Sequence, residues 1–346
     1  MRIGAVGENL LERLAVRLRL GPRPLLETHA TLLLAQALMV ATKAGLIEAL
    51  AAAPLTPREA AARCGSDERA TAKLLGALAA TGYVRPRRGR YALTGDARRW
   101  LLAEAPRSLR DNVLFRFVEW EWIGRLDDYL RSGRPLDIHA GMSPGQWGAY
   151  QRGMRSLAAS LAGEVAWRTR VPRGARAMLD VGGAHGLYSA ALCRRHPRLR
   201  AVVLDLPAAV EQAAGMLEDE GLGGRVAHRA GDALADDLGA GAFDLVLVSN
   251  LLHHFSLGQS RDLVRRAARA LRPRGTLVVQ ELFTPDSSRS GQAAALADLY
   301  FAMTSESGTL SVEEIAAWQR EAGLRPLRPV RFVSFPGAGQ QPAVKP

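Results

Sequence analysis

The stretch Leu179-Asp180-Val181-Gly182-Gly183-Ala184-His185-Gly186-Leu187 decides how the rest of this chain is read. The β-rich run Ala177–Val181 enters a glycine-dense turn, and helical spacing begins directly after it, over about 187–195. Glycines at such a turn let the backbone approach a ligand, and the opening helix presents free N–H groups to it. Gly182 and Gly186 flank an alanine at 184, where the dinucleotide fingerprint would carry a glycine. Alone, the turn fits dinucleotide, phosphate and adenosyl ligands equally.

Two acids downstream narrow the choice. Asp205 ends the next strand pattern, Ala201–Leu204, about twenty residues past the turn, where a carboxylate accepts from ribose hydroxyls. Asp232, in Ala230-Gly231-Asp232-Ala233, ends the third pattern, Val226–Arg229, where it can accept from an adenine amino group. Phe243–Val248 and Thr276–Gln280 continue the series. Helical stretches at about 187–195, 207–220, 260–271 and 290–304 separate these runs. This alternation predicts an α/β fold, a parallel sheet with helices on both faces. Leu327–Phe335 reads as one more strand, and 337–346 as a flexible tail.

The N-terminal part follows other rules. Apolar positions at helical spacing over 25–50 end at Pro54. Thr56 caps a short helix over 57–63 with Pro57 in its first position, and Asp67 caps another that runs to Thr81. Tyr83–Arg85 and Arg90–Leu93 predict a β-hairpin, which completes a winged-helix order. Residues 106–170 are helical but interrupted, with aromatic residues (Phe115, Phe117, Trp120, Trp122, Tyr129) and a Gly/Pro-rich break at 132–145. The expected division is a helical winged-helix domain at 1–105, a connector at 106–170, a Rossmann-like domain at 171–336 and the tail at 337–346.

A chain of 346 residues with 48% hydrophobic and 23% charged residues is a folded protein of about two domains. The formal charge of +12 raises nucleic acid as a partner. Against it, the basic residues are nearly all arginines dispersed along helical stretches; Lys43, Lys73 and Lys345 are the only lysines. No dense basic run with interleaved aromatics is present. Cys64 and Cys193 stand far apart, so neither a disulfide framework nor a cysteine zinc site is expected. The longest apolar run, around 30–41, is too short to span a bilayer, and no secretory leader is evident. A cytoplasmic setting without membrane or nucleic-acid partners is expected.

Taken together, these motifs resemble the S-adenosylmethionine-dependent small-molecule O-methyltransferases of the plant caffeic acid and bacterial hydroxyneurosporene type. The resemblance spans about residues 30–335. It rests on Asp180-Val181-Gly182-Gly183-x-x-Gly186, Asp205-Leu206-Pro207, Gly231-Asp232, Leu252-His253-His254-Phe255-Ser256, Pro273-Arg274-Gly275-Thr276-Leu277 and Glu281. It implies S-adenosylmethionine as cofactor and S-adenosylhomocysteine as product. Gly182 would meet the methionine side, Asp205 the ribose and Asp232 the adenine; Asp180, Gly183, Gly186, Leu206, Ala233 and Ser249 complete the cofactor set. It further implies a homodimer through the N-terminal domain, so the DNA-binding look of that domain would mislead.

The catalytic candidate is His253, just past the Asp244–Val248 run, because an imidazole takes a hydroxyl proton near neutral pH. Glu281 resembles the family acid that steadies this histidine. His254 stands where relatives usually carry an acid, and Thr309 stands where a second acid is expected, with Glu306 the acid nearby. No metal is expected, since adjacent histidines seldom reach one ion. By resemblance, Trp120, Tyr150, Met154, His254, Phe301 and Met303 line the pocket for an aromatic or polyketide-like acceptor. Carbon methylation, or a non-methylating role, is the alternative within the family. The alternative outside it is a DNA-binding regulator reading through helix 67–81, whose Leu74, Leu75, Leu78 and alanines leave little polar face.

Overall fold

The computed structural model describes residues 4, 6–7, 9–18, 20–139, 141–285 and 291–346. Residue 290, where a helix was expected to start, lies outside them; the helix begins at Gln292. The chain divides into two compact units, Met1–Phe117 and Val118–Pro346. The boundary between them falls within the helix Arg110–Ile123.

The first unit follows the order expected from its caps. Thr56 and Glu59 form a reciprocal capping box with Pro57 at the start of helix Pro57–Cys64. Asp67 accepts from Ala70 N–H and opens helix Glu68–Ala80. Strands β1 (Val84–Arg87) and β2 (Arg90–Leu93) then pair antiparallel. Leu46, Ile47, Leu50, Leu75, Leu78 and Val84 close the core of this unit. Before them, a helical run spans Arg23–Lys43 and includes a π-turn at Leu26–Ala30. At 21 residues, this run is by length and apolarity enough to cross a bilayer, the one such helix among the described residues. That corrects the expectation of a segment too short to span: Leu25 and Leu26 extend the apolar run toward the N-terminus. Leu25, Leu26, Leu32, Leu33 and Leu34 of this run are exposed.

The second unit is built on one sheet. Its strands are β3 (Ala177–Val181), β4 (Arg200–Asp205), β5 (Val226–Ala230), β6 (Phe243–Ser249), β7 (Leu271–Leu282), β8 (Arg325–Pro326), β9 (Val330–Arg331) and β10 (Ala338–Val344). The order is β5-β4-β3-β6-β7-β10-β8, with β9 also paired to β10. The first five strands in that order run parallel. Fully buried residues such as Leu179, Val181, Leu204, Val246 and Val248 make the strands near-continuous apolar runs, as a sheet covered on both faces requires.

Two expectations at the C-terminus are corrected. The stretch 337–346 is not a flexible tail: β10 pairs antiparallel with β7 from Ala338↔Leu282 to Val344↔Thr276 and is buried along most of its length. Gly339-Gln340-Gln341-Pro342 looks like loop composition, but the side-chain amide donors of both glutamines are bonded internally. Gln340 Nε2 donates to Thr169 Oγ1 (2.8 Å) and Gln280 Oε1 (3.0 Å), and Gln341 Nε2 to Leu327 O (3.0 Å). The expected strand Leu327–Phe335 shrinks to the two-residue β9, while Pro326 and Pro329 remove the N–H donors a longer ladder needs.

Candidate active site

The carboxyl ends of β3, β4 and β5 carry the glycine turn and the two acids. Gly182 (φ 68°) and Gly186 (φ 69°) occupy the left-handed region. Gly182 N–H donates to Leu204 O (2.7 Å), drawing the turn against the end of β4. Gly183 serves a different need, because a Cβ there would lie 2.6 Å from the Asp180 carboxyl carbon and 2.7 Å from Val203. Beneath it, Asp180 is buried, accepts from Ser189 Oγ (2.6 Å) and keeps Oδ1 without a partner among the described residues. Burial, with the nearby Asp205 charge adding to it, lifts the Asp180 carboxyl to about 7.

Asp205 is half-buried, and burial also pushes its carboxyl up. Its Oδ2 accepts from Ala184 N–H (2.7 Å) and its Oδ1 from Leu206 N–H (2.8 Å). Asp232 is exposed and accepts from Leu234 N–H (2.8 Å). Each of these oxygens keeps a further lone pair for a ligand rich in hydroxyl and amine donors. Leu206 is exposed and Ala233 half-buried beside the two acids in sequence. Ser249, in contrast, is buried at the end of β6 and accepts from Gln280 Nε2 (2.9 Å).

The ends of β6 and β7 carry a second constellation. A short 3₁₀ helix, Leu252–His254, follows β6 and leads to helix Leu257–Ala270, capped by Ser256. His253 Nδ1 lies 2.7 Å from Glu281 Oε2, with side-chain exposures of 4% and 1%. The other Glu281 oxygen, Oε1, accepts from Leu251 N–H (3.0 Å) and Leu252 N–H (2.9 Å). Glu281 therefore sits inside β7 and not at a strand-end surface. Three hydrogen bonds hold its carboxylate, and a carboxylate on Nδ1 selects the tautomer whose Nε2 lone pair is free. Ser307 N–H donates to His253 O (3.1 Å) and fixes the backbone from the other side.

Aromatic rings surround this pair. Phe301 meets His253 edge-on (centroids 4.7 Å), and His254 lies against it at 4.1 Å. Burial drives His254 well below the usual imidazole range, helped by His253 and then His139, so it is a neutral ring. His139, which the sequence reading missed, packs on His254 (4.8 Å), Trp147 (5.4 Å, stacked) and Tyr150 (5.5 Å). Burial lowers His139 and raises the Tyr150 phenol. Leu136 N–H to Met303 O (2.7 Å) ties Leu136 to the end of helix Gln292–Thr304. The structure thus brings together His253, His254, Tyr150 and Phe301. Met303 is buried and joins through its carbonyl, and Met154 is half-buried. Trp120 is 37% exposed and, among the described residues, makes no ring contact with the cluster. Glu306 is exposed; the acid that reaches Thr309 Oγ1 is Asp298. No group of three or more metal-ligating side chains occurs among the described residues.

Comparison with known proteins gives both units a counterpart. The O-methyltransferase dimerisation domain matches residues 26–103, and the O-methyltransferase domain matches 133–325. A 3-hydroxy-5-methyl-1-naphthoate 3-O-methyltransferase of Streptomyces sahachiroi is 31% identical over 311 residues, covering 88% of this chain and 89% of the relative. Among solved structures, an O-methyltransferase family protein from Burkholderia thailandensis is 26% identical, with a TM-score of 0.78 over 96% of this chain and 98% of its own. Human N-acetylserotonin methyltransferase, solved in complex with S-adenosylmethionine, shares the fold at 19% identity, with a TM-score of 0.83 over 99% of both chains.

Proposed function

The chain belongs to the O-methyltransferase family, and on that premise we propose that it moves a methyl group from S-adenosylmethionine to a hydroxyl of an aromatic or polyketide-like small molecule. One observation carries the reading: the buried His253–Glu281 pair, 2.7 Å apart, stands at the ends of β6 and β7, and β6 adjoins the strand β3 that carries the glycine turn.

In this account Asp205 accepts from the ribose hydroxyls and Asp232 from the adenine amine, while the Gly182–Gly186 turn brings main chain against the methionine end. The donor-rich cofactor fits these residues, because the Asp205 and Asp232 oxygens retain acceptor capacity. When bound, it supplies an electrophilic methyl group on a sulfonium sulfur. His253 Nε2 takes the acceptor's hydroxyl proton, which makes the oxygen the better nucleophile. Glu281 holds Nδ1–H, orients the ring and stabilises the imidazolium that forms. The rings of His139, Trp147, Tyr150, His254 and Phe301 offer faces and edges to a planar acceptor and keep water from the base.

Replacing His253 with Ala tests the assignment. Turnover at saturating cofactor should fall by about 10²–10⁴, the usual worth of a general base. Affinity for S-adenosylhomocysteine, measured by calorimetry, should stay at the unmutated value. Full turnover in that variant would remove His253 from the role.

The dimerisation domain carries the exposed Leu26, Leu32, Leu33 and Leu34 of the helical run Arg23–Lys43, and we assign them to contact with a second copy of the chain, not to lipid. Such a homodimer would work in the cytoplasm on a soluble acceptor. Sedimentation of the full chain tests this assignment: a monomer at micromolar concentration would contradict it.

A further inference from the structure

The glycine turn contains a residue that does not suit its own conformation. Ala184 has φ 47°, in the left-handed region, although it carries a Cβ. A side chain makes that region costly, whereas glycine enters it freely. Two side chains from neighbouring strands hold Ala184 there. Its N–H donates to Asp205 Oδ2 (2.7 Å), at the end of β4. Its carbonyl lies 2.8 Å from His228 Nε2, on β5. A carbonyl only accepts, so this contact requires the proton on Nε2 of His228. His228 is half-buried and pairs in register with Val203, whose side chain packs under Gly183 and Gly186. It therefore stands on the sheet, with a fixed reach to the turn.

We propose that His228 is a positioning residue for the cofactor: it clasps the Ala184 carbonyl, keeps residue 184 left-handed, and so keeps the Ala184 N–H on Asp205. The inference rests on the reading of this turn as the S-adenosylmethionine site. The clasp works in two places. It settles which way the peptide groups of the turn face, and hence which amides meet the methionine end. It also occupies one lone pair of Asp205 Oδ2, which aims the rest of that carboxylate at the ribose. Releasing His228 lets Ala184 relax out of the left-handed region, and Asp205 Oδ2 then loses its partner.

The test is calorimetric titration of the full chain with S-adenosylhomocysteine, alongside steady-state kinetics. His228→Ala should weaken binding and raise the cofactor KM by about tenfold, the scale of one lost hydrogen bond plus released strain. The acceptor KM, and kcat at saturating cofactor, should not move. Adding Ala184→Gly to that variant should restore most of the affinity, because glycine enters the left-handed region without a steric cost and needs no clasp to stay there. His228→Gln, whose amide can donate to the same carbonyl, should bind close to normally. Ala184→Val, with His228 intact, should weaken binding, since a branched side chain resists this φ; it tests the clasp even where His228→Ala folds poorly. Unchanged affinity in His228→Ala, or no recovery on adding Ala184→Gly, would overturn the proposal. An unmutated chain that fails to bind S-adenosylhomocysteine would overturn the cofactor reading and this proposal together.

Discussion

The two halves of the site are made from different materials. At the ends of β3, β4 and β5, main chain does most of the shaping: positive-φ glycines, a left-handed alanine, and acids whose oxygens meet loop N–H groups. At the ends of β6 and β7, side chains do it: a buried carboxylate, three imidazoles and the aromatic rings of Trp147, Tyr150 and Phe301. The difference teaches where tolerance lies. A half built on backbone suits a ligand that never changes, while a half built on side chains can be re-cut for a new acceptor without disturbing the sheet.

That comparison breaks first at Glu281. Replacing it with Ala should lower kcat by about 10²–10³, because the base loses its orienting partner. It also leaves the half-buried N–H of Leu251 and the buried N–H of Leu252 unmatched, the latter at about 1–3 kcal/mol. Kinetics paired with a denaturation curve checks both parts; a variant with normal turnover would contradict the assigned role. The opposite half breaks at Gly182. Its φ of 68°, and a Cβ that would lie 2.7 Å from Leu251, make Gly182→Ala strained whatever moves aside. The cofactor KM should rise by about tenfold or more, on the scale of a few kcal/mol for forced left-handed backbone. The acceptor KM should stay constant, and a rise confined to the acceptor would contradict the division.

The same contrast explains what could be read from the residues alone. The turn was legible because strand, glycines and helix start are contiguous, and Asp205 and Asp232 follow at strand ends. His253 was legible from its place after a strand, but its pairing with Glu281 only through resemblance to a family, since the members of that hydrogen bond stand 28 positions apart in the chain. His139 was not legible: a lone histidine in a Gly/Pro-rich break gives no periodic signal, and its partners Trp147, Tyr150 and His254 come together only in the fold. Strand β10 failed for another reason. Its glutamines look solvent-seeking until Thr169, Gln280 and Leu327 are seen to accept from their amide N–H groups.

His139 sharpens the comparison with a smaller effect. His139→Ala should raise the acceptor KM by about two- to tenfold, the scale of one ring contact of roughly 0.5–1.5 kcal/mol. S-adenosylhomocysteine affinity should not change, and a loss there would mean that the two halves are coupled through this ring. Smallest is a change of slope at Asp180. Its folded carboxyl titrates at about 7 against an ordinary 3.8, so the folded chain keeps a proton that the unfolded chain releases. Stability from this group is therefore fully present below the ordinary range and declines as pH rises to about 7. Asp180→Asn should flatten the denaturation midpoint across that window. An unchanged pH slope would contradict the burial argument.

The central claim, methyl transfer to oxygen, is tested most directly by following the methyl group itself. The full chain would be incubated with S-adenosylmethionine labelled in its methyl group and a panel of hydroxylated aromatic acceptors, and the labelled product located by NMR. The account predicts label on a former hydroxyl oxygen of a planar acceptor. Label on carbon or nitrogen, or no transfer to any member of the panel, would contradict it.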